Sequence, residues 1–274
     1  MKARSVVLLA AAFVCLAAGC SSTARGAPAP WRRAVLVELY TSQGCSSCPP
    51  ADAFVRELPA LGFGRDRVIP LTFHVDYWDR LGWKDPFASG AFTERQQWYA
   101  RSPNLRSPDG AAGLDGLYTP QMIVDGTVQF SGQRRQTALR EMERAGGRPP
   151  PLDLEVRATV KGSTIDLTVG SSRAEGTGRD RDWRIVAALA ARTARTAVGR
   201  GENAGETLNE VAVVRALSDR VPLPPPRTPA RLQLSRPADL AWSDVDIVVF
   251  AQSDTTREIG AIRTLDGRQL GPGR

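Results

Sequence analysis

Residues 41–50 read TSQGCSSCPP and place two cysteines, Cys45 and Cys48, at the first and last positions of a CxxC motif. The run before them, AVLVELY at residues 34–40, is rich in Val and Leu, which is typical of a short strand buried on both faces. The two prolines that follow suit only the first turn of a helix, where backbone amides lack partners. The stretch therefore predicts a strand, a cysteine turn and a helix.

The downstream segments extend this pattern. Residues 67–75 predict a second strand, which its internal proline would place near a sheet edge or at a bulge. Residues 89–101 predict a helix. The runs QMIV and TVQF flank Asp125-Gly126, a dipeptide that favours a tight hairpin, and residues 133–147 predict an amphipathic helix.

The resulting order is strand, helix, strand, helix, strand, strand, helix, with the cysteine pair at the end of the first strand. This order predicts an α/β thioredoxin-like N-terminal domain over residues 34–147. After a Pro-rich linker, short alternating runs predict a mainly β, sandwich-like C-terminal domain over residues 152–266. The composition, 42% hydrophobic and 24% charged, is that of a globular protein rather than a disordered chain or a membrane bundle.

The N-terminus predicts export. Residues 1–20 contain the basic Lys2 and Arg4, an apolar run and small residues before Cys20, which is the pattern of a signal peptide. The ending LAAGC resembles the lipobox of bacterial lipoproteins, so we expect Cys20 to be lipidated; an ordinary secretory signal is the alternative. Residues 21–33 would then form a tether, and the protein would be periplasmic and anchored to a membrane through its lipid.

The cysteine pair predicts thiol chemistry. At the N-terminus of a helix, unpaired amides and the helix dipole stabilise a thiolate, so we expect Cys45 to attack and Cys48 to resolve the mixed disulfide. A purely structural disulfide is the alternative, but a bridge that closes so small a loop restricts the unfolded chain very little.

Other residues are candidates for the same site. Pro120 precedes a hairpin strand, where the thioredoxin fold places a cis-proline, and the backbone near Thr119 would be free to pair with a client segment. Glu38, on the first strand, is a candidate buried base for Cys48. An aromatic loop contributes Trp78 and Trp83 as candidates for the wall of a substrate groove.

The single histidine of the chain, His74, allows another interpretation. Together with Cys45 and Cys48 it would make a thiolate and imidazole set suited to Cu(I), whereas zinc would need a fourth ligand, for which Asp76 is the obvious candidate. A histidine bonded within the core is the simpler interpretation. The Gly-rich stretch at residues 198–208 lacks the ending of a phosphate loop and predicts a connection that matters only if it reaches the first domain.

Four stretches together resemble a family of exported bacterial proteins with a thioredoxin-like fold and no settled activity: VELYTSQGCSSCPPAD, FHVDYWDRLGWKDPFAS, LYTPQMIVDG and VGRGENAG. The resemblance implies the fold and export but no reaction. Among the residues that match the family are Cys45, Cys48 and Pro120 as the redox set, with neighbours of unknown role at His74, Asp76, Trp78 and Trp83.

These patterns favour a cell-envelope thiol–disulfide oxidoreductase that acts on client protein thiols, or with a redox partner, and needs no organic cofactor. The alternatives are a copper carrier that uses Cys45, Cys48 and His74, or a lipid-tethered binding module with an inert disulfide. The net charge is +7, but the arginines are scattered, so we expect no nucleic-acid partner.

Overall fold

The computed structural model describes five parts of the chain: residues 30–108, 117–173, 182–223, 225 and 228–270. The signal peptide, Cys20 and residues 21–29 of the tether lie outside these parts, so cleavage and lipidation stay predictions. Among the described residues, no helix is long and apolar enough to cross a membrane.

The first half of the chain alternates strands and helices in the predicted order: β1 (Val35–Thr41), α1 (Pro49–Glu57), β2 (Val68–His74), α2 (Gly90–Ala100), β3 (Gln121–Val124), β4 (Val128–Ser131) and α3 (Arg135–Gly146). The second half has strands and no α-helix in its described part: β5 (Leu152–Lys161), β6 (Thr164–Arg173), β7 (Trp183–Ala197), β8 (Thr207–Leu217), β9 (Val221–Pro222), β10 (Ala230–Ser235), β11 (Val245–Ser253) and β12 (Ile259–Asp266).

The strands of both halves share one large mixed sheet. Its order is β12-β11-β7-β8-β2-β1-β3-β4, with β9 beside β7, and a separate sheet has the order β10-β6-β5. The predicted fold class, an α/β thioredoxin-like N-terminal domain followed by a β domain, is therefore wrong. The protein is mostly β, and its nine-stranded sheet crosses the predicted boundary between residues 147 and 152.

The position of β2 in the sheet explains why the observed fold differs from the predicted one. Instead of lying at an edge, β2 runs parallel to β1 on one side and pairs with β8 on the other, through Thr72 and Val213. Pro70 has no N–H to donate, and the ladder to β8 is limited to this single pair. The Thr72 hydroxyl adds a hydrogen bond to the Val211 carbonyl at 2.9 Å. The pairing of β2 with β8 thus consists of one bridge and one side-chain hydrogen bond.

Three hydrophobic clusters hold these layers together. Helices α1 and α3 cover β1 and β3 through a cluster that includes Leu39, Phe54 and Met142. A second cluster, with Phe92 and Tyr99 of α2, includes alternate residues of β1, β2, β7 and β11. The third fills the space between β5, β6 and β10 and the strands β7 and β11. Successive residues of a strand face opposite sides, so the central strands are buried on both faces.

The last residues of the predicted tether belong to the folded body. Trp31 packs edge-on against Phe63, with ring centroids 5.9 Å apart. Arg33 forms an ion pair with the buried Asp125, and its Nη1 donates to the Ile259 carbonyl at 2.8 Å. Any free tether therefore ends before Trp31.

Candidate functional site

Cys45 and Cys48 form a disulfide, with their Cα atoms 5.4 Å apart. The turn is closed by two backbone hydrogen bonds of 3.1 Å, from the Cys45 N–H to the Ser42 carbonyl and from the Cys48 N–H to the Cys45 carbonyl. Cys48 is the N-cap residue of α1, as the following prolines predicted. Both cysteines are buried, whereas Ser46 and Ser47 between them are exposed.

The peptide bond between Thr119 and Pro120 is cis, as predicted. Pro120 lies beside the first turn of α1, as the neighbourhood of Gly132 shows. A Cβ atom at Gly132 would approach Pro120 Cβ to 3.1 Å and Ala51 Cβ to 2.9 Å, so the close packing requires a glycine. The structure thus places Pro120 next to α1, the helix that follows the cysteine pair.

The two tryptophans of the aromatic loop have different positions. The Trp78 indole N–H donates to the Thr119 hydroxyl at 2.8 Å, and a Cβ atom at Gly44 would lie 3.3 Å from Trp78 Cβ. Trp78 and Thr119 therefore lie together next to the cysteine turn. The Trp83 indole N–H instead donates to the Gln43 side-chain oxygen at 3.2 Å. Trp83 is thus bonded to the loop residue two positions before Cys45.

The Glu38 carboxylate is bound to α2. The Arg95 Nε atom donates to Glu38 Oε1 at 2.7 Å, and the Tyr99 hydroxyl donates to the other oxygen. The neighbours of Glu38 on β1 pack against α1, so Glu38 itself faces the opposite side of the sheet. The structure therefore places the carboxylate of this candidate base on the far side of the sheet from the helix that carries Cys48.

A carboxylate that the sequence reasoning missed lies on α1. Asp52 is one helical turn after Cys48, at the spacing that puts two residues on the same face. Its Oδ2 accepts a hydrogen bond from the Thr41 hydroxyl at 3.1 Å, while its Oδ1 is buried without a partner in the described residues. Burial, assisted by the Glu210 carboxylate and opposed by His74, raises the pKa of Asp52 to about 7. The i, i+4 spacing between Cys48 and Asp52 could have identified this carboxylate from the sequence.

His74 lies between two buried carboxylates. Its Nδ1 is 2.7 Å from Asp85 Oδ2, and its Nε2 is 3.5 Å from Glu210 Oε1. Burial alone would lower the pKa of His74, but these two carboxylates outweigh it and raise the pKa to about 9. Asp76, the candidate fourth ligand for zinc, accepts a hydrogen bond from the Thr93 hydroxyl at 2.6 Å. Copper binding by His74 would require a neutral ring that gives up a carboxylate.

Gln43 connects this buried cluster to the cysteine turn. Its backbone N–H donates to Asp85 Oδ2 at 2.8 Å, and its side-chain nitrogen donates to Glu210 Oε2 at 2.8 Å and to the Thr196 hydroxyl at 3.0 Å. The Asn203 amide nitrogen donates to the Gln43 carbonyl at 2.9 Å. Residues from both halves of the chain therefore complete the site, and no local pattern in the sequence predicts this network.

The raised pKa of His74 predicts a pH dependence of stability. Because the folded pKa of about 9 lies above the ordinary 6.5, this stabilisation is complete below pH 6.5 and is lost as the pH rises through about 9. We expect the free energy of unfolding in urea to fall across this window, by up to about 1.4 kcal/mol per pH unit. The decline is best measured above pH 7.5, where Asp52, with its pKa of about 7, is mostly ionised.

The variant Glu210→Gln removes one carboxylate that raises the pKa of His74, so it should move the decline to lower pH. His74→Gln should remove the decline altogether. Equal pH profiles for the wild-type protein and both variants would contradict the assignment.

The fold and the site define a class of protein: a mostly β chain with a mixed sheet that carries a buried CxxC disulfide at the start of a helix. The chain belongs to the family described as protein of unknown function (DUF1223), which matches residues 36–252. The family resemblance noted in the sequence is confirmed at this level. The thioredoxin-like domain that it implied is not what the structure has, and export stays a prediction.

Two solved structures are similar over most of the chain. A protein from Agrobacterium tumefaciens is 25% identical, with a TM-score of 0.61, and the match covers 90% of this chain and 100% of that one. HBP35 of Porphyromonas gingivalis is 12% identical, with a TM-score of 0.60, and the match covers 89% of this chain and 78% of that one. The second likeness concerns the fold alone. No protein with a curated description matches the chain.

Proposed function

We propose that the protein is a thiol–disulfide oxidoreductase that exchanges electrons with client protein thiols through Cys45 and Cys48. The observation that carries the proposal is the position of the disulfide, which spans the turn into α1 with an incompletely bonded buried carboxylate, Asp52, one helical turn further on. A structural bridge needs no proton acceptor at this position, whereas exchange between thiols does.

In the oxidising direction, a client thiolate attacks one sulfur of the Cys45–Cys48 disulfide. A mixed disulfide with Cys45 forms, and Cys48 leaves as a thiolate. A second client thiolate then attacks the client sulfur of the mixed disulfide and releases Cys45. The client gains a disulfide and gives up two electrons. The protein accepts these two electrons, which reduce its disulfide to two thiol groups. In the reducing direction each step runs backwards, so the reaction needs no organic cofactor.

Each residue has a separate part in this scheme. The positive end of the α1 dipole favours a thiolate at Cys45. The Asp52 carboxylate would take the proton of Cys48 when Cys48 attacks the mixed disulfide, and would return it in the other direction. Trp78 and Thr119 lie beside the turn and would contact an extended client segment.

The predicted signal peptide is consistent with a cellular compartment in which thiol–disulfide exchange occurs. A signal peptide at residues 1–20 would bring the chain to the bacterial envelope, where disulfides form and persist. Lipidation of Cys20 would keep it at a membrane surface, within reach of other exported proteins.

The reduction potential of the pair tests the proposal. The purified domain from residue 30 onward is equilibrated in glutathione buffers and quenched with a maleimide, and the alkylated fraction is measured by mass spectrometry. A potential near about −200 mV would make the protein an oxidant or isomerase, and one near about −270 mV a reductant. A pair that stays oxidised below about −300 mV would contradict the proposal, because the disulfide would then be structural.

Asp52→Asn tests the proton acceptor. The amide keeps the shape of the side chain but cannot take a proton, so resolution of a mixed disulfide at neutral pH should slow by about 10²-fold. The wild-type rate should rise through an inflection near pH 7, the pKa of Asp52, and the variant should lack this inflection. Stopped-flow measurement with a mixed disulfide on Cys45 gives both quantities.

Asp66→Asn is the matched control, since its side chain is 80% exposed and belongs to the loop before β2. The Asp66→Asn variant should resolve the mixed disulfide at the wild-type rate. If Asp52→Asn kept both the wild-type rate and the inflection, Asp52 would have no part in the reaction.

A further inference from the structure

The connection between β7 and β8 contacts the cysteine turn. The buried Asn203 donates its amide N–H groups to the Gln43 carbonyl at 2.9 Å and to the Cys45 carbonyl at 3.0 Å. Next to it, Glu202 Oε2 accepts two hydrogen bonds from Ser46, one from the backbone N–H at 2.9 Å and one from the hydroxyl at 2.7 Å. The Gly-rich stretch singled out in the sequence thus reaches the CxxC motif through two adjacent side chains.

The Ser46 amide is important for the chemistry of Cys45. A thiolate is stabilised by nearby N–H donors and by the positive end of a helix, and it is destabilised by a negative charge close by. Glu202 both occupies the amide that follows Cys45 and places a carboxylate beside it. The hydrogen bonds from Ser46 lower the pKa of Glu202, which keeps this carboxylate ionised. The Ser47 hydroxyl, 3.3 Å from Cys45 Sγ, is left as a donor to the sulfur.

We propose that Glu202 is a positioning residue that holds Cys45 in its thiol form and so shifts the Cys45–Cys48 pair toward the disulfide. The inference rests on the proposed function, because only a pair that exchanges has a reactivity to set. Raising the free energy of the thiolate disfavours the reduced state, which lowers the reduction potential. The carboxylate of the β7–β8 connection therefore counteracts the effect of the helix N-terminus on the same sulfur.

The test is the variant Glu202→Gln, which keeps the size of the side chain and an acceptor oxygen for Ser46 but removes the charge. After reduction with a phosphine and its removal, the rate of Cys45 alkylation by iodoacetamide is measured from pH 5 to 10. We expect the pKa of Cys45 to fall by about one unit in the variant. At a pH above the Cys45 pKa of both proteins, the equilibrium constant for reduction by glutathione should rise about tenfold, which is about 30 mV in potential, and at a pH below both pKa values it should be unchanged.

Two control variants separate the charge from other effects. Glu206→Gln removes an exposed carboxylate from the same connection, without a described bond to the cysteine turn, and should leave both quantities unchanged. Asn203→Ala removes the amide that holds the connection down. It should raise the alkylation rate by the same factor at every pH and leave the pKa of Cys45 within about 0.3 unit of the wild-type value, because it changes access and not charge.

The outcomes distinguish the two proposals. If the alkylation profile of Glu202→Gln coincides with the wild-type profile, or if Glu206→Gln shifts the pKa equally, the role of Glu202 is overturned. If the wild-type pair does not exchange with glutathione, the proposed function is overturned. The alkylation profile still decides the role of Glu202 in that case, because it is measured on protein reduced by the phosphine.

Discussion

Cys45→Ser is expected to abolish thiol–disulfide exchange, with a rate loss on the order of 10³-fold or more, because the attacking sulfur of the proposed reaction is removed. Cys48→Ser should still form the first bond and then stop, since no second thiol remains to resolve the mixed disulfide. Incubation of each variant with a peptide disulfide, followed by mass spectrometry of the intact protein, distinguishes the two. A mixed disulfide should accumulate on Cys48→Ser and not on Cys45→Ser.

The two variants are each other's control. Both lose the same disulfide, so any general loss of stability affects both, and a difference between them must come from the chemistry of the remaining sulfur. Urea unfolding of each variant verifies that the fold is kept. Equal accumulation of mixed disulfide on both variants would contradict the assignment of Cys45 as the attacking residue. No accumulation on either would contradict the proposed function.

Arg95→Leu is expected to destabilise the protein by about 3–5 kcal/mol, because it leaves the Glu38 carboxylate buried without its ion-pair partner. The guanidinium also donates to the Gln252 side-chain oxygen at 2.9 Å and lies over the rings of Phe73 and Tyr99, with 5.7 Å and 5.3 Å to the ring centroids. All of these contacts are buried, so little of the loss is recovered from water. The measurement is the free energy of unfolding in urea.

Arg101→Leu is a suitable control, since Arg101 follows the same helix and is exposed, and it should change stability by less than about 0.5 kcal/mol. The double variant Glu38→Leu with Arg95→Met should recover at least half of the loss, because both charges leave the core together. If Arg95→Leu costs less than about 1 kcal/mol, the ion pair is not a main support of the fold. This prediction does not depend on redox activity.

The local elements were predictable because their signals are local. The Val- and Leu-rich run before the cysteines, the prolines after Cys48 and the Asp125-Gly126 dipeptide each fix the structure within a few residues. The arrangement of the sheet was not predictable, because strand pairing joins segments that are distant in the sequence. The junction of β2 and β8 rests on Thr72 and Val213, and neither residue has a feature that predicts its partner. A local pattern matched to a known order of elements therefore gave the wrong fold class.

Some features of the candidate site were likewise predictable from local signals, and others were not. The cysteine turn and the cis-proline were predictable from short motifs, and Asp52 could have been found from its spacing to Cys48. The contact between Glu202 and Ser46 could not, since it spans 156 residues of chain. Glu38 shows the limit of spacing along a strand, because a shift of one residue places a side chain on the other face of the sheet.

The late position of Glu202 and Asn203 in the chain has a consequence for biosynthesis. A ribosome adds roughly 5–20 residues per second, so these two side chains emerge many seconds after the cysteines. During that interval the turn lacks its hydrogen bonds to Glu202 and Asn203. The order of the chain therefore lets the bond between Cys45 and Cys48 form before the β7–β8 connection docks on the turn.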